Sequence, residues 1–68
     1  MSQSKERFWG YRLKNGEIKV RKYFAYGDIS EAKDSPFVGE VVEPFNATGW
    51  PEATKQVYGH FGCEVPKP

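Results

Sequence analysis

His60 and Cys63 are the chain's one histidine and one cysteine, and they stand three residues apart near the end of a segment with helical spacing. An imidazole beside a thiol can form a nucleophile and its base. Group transfer would further require a residue that orients the imidazole and donors for a developing oxyanion, and no pattern in the chain supplies either. As metal ligands the two would fill half of a tetrahedral zinc site, with no second pair at a recognised spacing. Cys63 is therefore read as a small, partly buried apolar side chain and His60 as a helix surface residue. Asp28 with Glu31 has the spacing of a helix cap, and Glu40 and Glu43 project from opposite sides of a strand, so neither pair is arranged for acid and base work. Gly59 and Gly62 close a helix, whereas phosphate-cradling glycines open one after a strand. The chemistry-bearing residues thus describe a non-enzyme with no cofactor and no metal.

What remains is recognition chemistry. Phe8, Arg12, Lys14, Lys19, Arg21 and Tyr23 fall within one stretch whose middle is Asn15-Gly16. An Asn-Gly pair flanked by alternating side chains predicts a hairpin with a two-residue type I′ turn. Counting outward pairs Lys14 with Glu17, Leu13 with Ile18, Tyr11 with Val20, Trp9 with Lys22 and Phe8 with Tyr23. One face then collects Trp9, Tyr11, Leu13, Ile18 and Val20 for the core, and the other collects the six basic and aromatic residues above. Cations in two adjacent columns match phosphates, and a Phe8–Tyr23 pair offers a stacking platform for bases.

A second set points to a protein partner. Tyr26, Phe37 and Trp50 are interface-type aromatics, and Asp28, Glu31 and Asp34 belong to an acidic run that could dock on a basic surface. Charge is split along the chain: residues 1–26 carry seven Lys or Arg against two Glu, and residues 27–45 carry five acids against Lys33. With a net charge of +1, the expected result is a molecule with a positive face and a negative edge.

Elements that would position these residues follow from local pattern. Strands are predicted near 7–14, 17–25 and 37–44, and a helix near 50–61. Gly27 breaks the second strand, and Asp28 starts a short helical turn that Pro36 stops at Ser35 or earlier. In the third strand Phe37, Val41 and Phe45 alternate with Val38, Glu40 and Val42, and either set fits a core; Pro44 marks an edge or an exit from the sheet. Gly49 serves as N-cap of the last helix, Pro51 sits in its first turn, Glu52 meets the positive end of the dipole, and Gly62 ends it. Trp50, Ala53, Val57 and Phe61 recur at helical spacing and would pack on the sheet. The fold class is α+β: a three-stranded antiparallel sheet, built from the N-terminal Asn-Gly hairpin plus a third strand, packed on one face by a C-terminal helix.

At 68 residues the chain is read as one domain over 7–63, with flexible ends at 1–6 and 64–68. Aromatics make up 16% of it, more than a small core needs. A single cysteine excludes an internal disulfide, no apolar segment is long enough to cross a membrane, and no export signal is visible, so a cytoplasmic setting is expected.

The sequence from Phe45 through Ala47, Glu52 and Ala53 to Tyr58 resembles the small sheet-and-helix DNA-binding domains of AP2 type and of some integrase N-termini. That resemblance implies DNA read by an exposed sheet face. Phe45 and Glu52 are farther apart than in AP2-type domains, and Arg12 and Arg21 match the arginine-rich strands only in part. The scaffold also resembles small phage-encoded proteins that inhibit host enzymes, which implies a protein partner. The function expected is a small binding protein, a protein-partner module or inhibitor in preference to a nucleic-acid-binding domain, with a homodimer through a strand edge as a further expectation.

Overall fold

The computed structural model describes residues 5–65, and the chain runs β1 (Glu6–Leu13), β2 (Ile18–Lys22), α1 (Tyr26–Asp34), β3 (Val38–Ala47) and α2 (Trp50–His60). The three strands form one antiparallel sheet in the order β2-β1-β3, and α2 packs on it. This is the α+β architecture expected, with a second full helix in place of a short turn. β1 begins at Glu6, inside the stretch expected to fray, and the expectations for residues 1–4 and 66–68 lie outside the described residues.

Asn15 and Gly16 do reverse the chain, but the loop has three residues. Gly16 N donates to Leu13 O at 2.8 Å, Leu13 N donates to Glu17 O at 2.7 Å, and Glu17 N donates to Asn15 Oδ1 at 2.9 Å. Only glycines have positive φ among the described residues, and Gly16 takes 97°. This is a tight turn over Leu13–Gly16 closed by a left-handed glycine, the usual three-residue hairpin loop. A type I′ turn would have needed φ > 0 at Asn15 as well, and here the Asn15 side chain instead caps the loop from within.

One extra loop residue moves every pair. Arg12 now faces Ile18, Tyr11 faces Lys19, Gly10 faces Val20, Trp9 faces Arg21 and Phe8 faces Lys22. Because side chains alternate, the slip carries Ile18 and Val20 to the side of Phe8, Gly10 and Arg12, and it carries Lys19 and Arg21 to the side of Trp9 and Tyr11. The predicted division into one oily and one basic face is corrected accordingly.

β3 completes the rearrangement. It pairs Phe45 with Phe8 and Val42 with Gly10, so three β3 steps span two on β1 and a bulge falls at Glu43–Pro44. Pro44 has no amide to give to a ladder, which suits it to the unpaired position. The bulge breaks strict alternation, so Val42, Phe45 and Ala47 share the Phe8 side while Val41 lies opposite Tyr11 on the other. The predicted grouping of Phe37, Val41 and Phe45 on one side does not hold.

α2 covers the Phe8 side. Phe8 packs with Ala47 and Ala53, flanked by Val20 and Phe45, and Trp50 stands edge-on to the Phe8 ring at 5.1 Å. Gly10 lets the helix approach: a Cβ there would lie 2.7 Å from Lys19 O and 2.7 Å from Val57 Cγ1. Gly49 is the N-cap of α2 and Pro51 sits in its first turn, as expected. Glu52 accepts from the Thr48 amide at 2.8 Å and the Thr48 hydroxyl at 2.5 Å. The hydroxyl and then the amide hold its carboxyl below the usual carboxylate range. Gly62 closes the helix, with Cys63 N donating to Tyr58 O and Gly62 N to Gly59 O.

The Trp9 side is also covered, in part. α1 lies against β3 on that side through the fully buried Ile29, and Lys33 pairs with Glu43 at 2.8 Å. Asp28 falls in the first turn of α1, and the N-cap is Ala25 with no side-chain hydrogen bond, so the capping role expected of Asp28 is corrected. Pro36 stops α1 as predicted, with Ser35 at the C-cap.

Candidate functional site

Between the Trp9 side of the sheet and α1 runs a cleft of about 390 Å³. Its floor is Trp9, Tyr11 and Leu13, and the Trp9 and Tyr11 rings lie 5.4 Å apart in a tilted stack. Arg21 borders it from β2, Asp28, Glu31 and Ala32 border it from one face of α1, and the C-cap residue Ser35 continues that wall. Opposite charges therefore stand on the two walls of an aromatic trough. Trp9 is 4% exposed, and its Nε1 is a buried donor without a hydrogen-bond partner. Most buried polar groups find partners, so this one stands out.

α1 is bracketed by exposed aromatics. Phe24 and Tyr26 lead into it and are 77% and 48% exposed; Phe37 follows it, 74% exposed, on the rim of the cleft. Phe37 is held in place by its backbone. Its carbonyl accepts from Lys14 N at 2.8 Å, and its amide donates to Ser35 Oγ at 3.3 Å. Tyr26 accepts a hydrogen bond from Lys33 Nζ at 3.0 Å. The Glu43 carboxylate, and after it the Tyr26 hydroxyl, raise the Lys33 ammonium above the ordinary lysine range.

The six residues predicted to form one basic, aromatic face do not share a face. Phe8 is 1% exposed and belongs to the core, so it offers no platform for stacking. Arg12 lies on the α2 side with its guanidinium over the Phe61 ring at 5.4 Å, and Glu40 sits directly across from it on β3. Lys14 is in the hairpin loop. Lys19 and Arg21 are exposed on the cleft side, where Lys19 pairs with Glu17 at 3.0 Å. Tyr23 pairs with Arg7 and not Phe8: its amide donates to Arg7 O, and the Arg7 guanidinium lies over its ring at 4.9 Å.

The second predicted set is brought closer together. Asp28, Glu31 and Phe37 all border the cleft, Tyr26 opens α1 and Asp34 ends it. Trp50 is on the opposite side of the sheet, half exposed and half packed on Phe8. His60 turns to Glu40, with Nε2 at 3.2 Å from the carboxylate; Cys63 is exposed, which corrects the partly buried role expected of it, and its thiol points to Phe61 O. Among the described residues no helix is long and apolar enough to cross a membrane.

Phe24 and Trp9 are functional candidates that sequence reasoning missed. Tyr23-Phe24-Ala25-Tyr26 puts three aromatics into the junction between a strand and a helix, where neither periodicity can bury them all. That crowding was the available signal. Comparison with protein-family models, with curated proteins and with solved structures found no match for this chain.

Proposed function

We propose that this chain is a small non-catalytic module that binds a protein partner across the cleft side of its sheet. The observation that carries this reading is the pair of phenylalanines, Phe24 and Phe37, left three-quarters exposed before and after α1 in so small a domain, with Phe37 on the rim of the aromatic trough. Large aromatics in water weaken a marginal core unless they serve elsewhere, and at interfaces they become anchors. The charges on the cleft walls give such a partner an orientation. A module that covers a working surface of its partner would act as an inhibitor. The nucleic-acid reading has no comparable support, because its cations are divided between two sides of the sheet and its stacking residue Phe8 is buried.

Removing both exposed rings tests the reading. A tagged copy is expected to retain a stoichiometric protein after nuclease treatment. Phe24→Ser with Phe37→Ser is expected to lose at least tenfold in affinity for it, with no fall in melting temperature, because neither ring is packed. Recovery of nucleic acid alone, or undiminished capture by the double variant, would overturn the proposal.

A further inference from the structure

β2 is an edge strand, and the pairing pattern shows which of its backbone groups face outward. The Leu13–Glu17 and Arg7–Tyr23 positions carry hydrogen bonds between β1 and β2. In an antiparallel ladder bonded pairs alternate with non-bonded ones, so Tyr11–Lys19 and Trp9–Arg21 are bonded as well. Ile18, Val20 and Lys22 occupy the non-bonded positions, and their N–H and C=O groups point away from the sheet. Among the described residues no strand lies against that edge. Its two borders differ in character. On the cleft side stand the exposed cations Lys19 and Arg21; on the α2 side stand the half-buried Ile18 and Val20, with Lys22 beside Glu6.

We infer that this edge takes up an extended acidic segment of the protein partner as a fourth strand, its carboxylates on the cleft side and its apolar residues beside Ile18 and Val20. The inference rests on the proposed protein-binding function and names the chemistry of the partner. Three outward residues offer main-chain hydrogen bonds without regard to sequence, and the side-chain borders supply the selection. Carboxylates at alternate positions fall opposite Lys19 and Arg21, where opposite charges across strands are favourable. Arg21 makes no ion pair among the described residues, and the Lys19–Glu17 pair is solvent-exposed and exchangeable.

The same borders argue against a second copy of this chain. Two β2 strands paired antiparallel about Val20 would set Lys19 against Arg21 twice and Ile18 against Lys22 twice. Like charges directly opposite destabilise such a pair, the usual way an edge is guarded against its own kind. The strand-edge homodimer expected from sequence is thereby disfavoured in favour of an acidic partner.

A blocked nonapeptide alternating glutamate and valine serves as probe, monitored by amide chemical shifts of the whole chain. The largest shifts are expected at the Ile18, Val20 and Lys22 amides. Methylating alternate peptide nitrogens, or changing Lys19→Glu with Arg21→Glu, is expected to weaken binding at least tenfold, and the charge-reversed chain is expected to prefer a lysine–valine peptide. No binding, equal binding of both peptides by the unaltered chain, or shifts confined to other residues would overturn the inference. A partner captured equally well by the charge-reversed chain would also overturn it while leaving the protein-binding module intact; capture of no protein at all would instead remove the module reading.

Discussion

Gly10→Val is expected to leave the chain largely unfolded at 25 °C. A side chain at this central position of β1 meets the Lys19 carbonyl on one hand and both methyls of Val57 on the other, at 2.7–2.8 Å. The carbonyl is held by the β1–β2 ladder and cannot step aside, and Val57 is fully buried on the sheet-facing side of α2. Overpacking a closed core costs about 1–3 kcal/mol and more where backbone is the obstacle. A domain of this size has about 3–5 kcal/mol in total from its core. The two quantities are comparable, so the helix must lift from the sheet or the fold is lost. Circular dichroism on heating measures it: a cooperative melt like that of the parent would contradict the packing described. Gly59→Ala is the control, since nothing lies near that position, and in a helix it should stabilise by about 0.5–1 kcal/mol.

Phe8→Ala is expected to be comparably damaging, by about 3–5 kcal/mol, the usual range for deleting a buried phenylalanine. Phe8 is the largest side chain in the Phe8–Ala47–Ala53 cluster, and it also supports Trp50. Two pictures of the hairpin separate cleanly here. Had Phe8 lain on an open basic face, its removal would have changed stability by no more than about 0.5 kcal/mol. Urea denaturation distinguishes the two, and a midpoint unchanged from the parent would show Phe8 to be a surface residue.

Why the sequence led to the right elements on the wrong sides can be traced to two residues. Asn15-Gly16 fits the middle of a type I′ turn, and it fits equally well the last two positions of a three-residue loop, where only Gly16 needs a left-handed φ. Both loops bury an apolar set, because Ile18 and Val20 can join either Trp9, Tyr11 and Leu13 or Phe8 and the β3 residues. The choice is made by long-range packing. Gly10 opens the Phe8 side to Val57, and the Pro44 bulge delivers Val42, Phe45 and Ala47 to that same side. Neither effect is visible in a period of two. By contrast, the ends of α2 were legible, because Gly49, Pro51, Glu52 and Gly62 each act within one turn of chain.

The candidate site was legible only in fragments. Asp28, Glu31 and Phe37 stood out by type, but nothing local indicated that α1 would lie over the Trp9 side and turn them toward one cleft. Ile29 is the buried residue of that helix, and taking Asp28 as its cap made the segment read as a short turn that starts after Asp28. Lys19 and Arg21 were singled out as cations, and the register then gave them a different neighbourhood. They border Trp9 and Tyr11, at an open strand edge, apart from Arg12.

Register is thus the premise on which the docking surface, the edge strand and the buried Phe8 all depend, and interstrand Hα–Hα nuclear Overhauser effects read it directly. Close Hα pairs mark the non-bonded positions of an antiparallel ladder. Strong cross-peaks are expected for Phe8–Lys22, Gly10–Val20 and Arg12–Ile18. Cross-peaks for Trp9–Lys22, Tyr11–Val20 and Leu13–Ile18 in their place would return the cations to a single face and contradict the account.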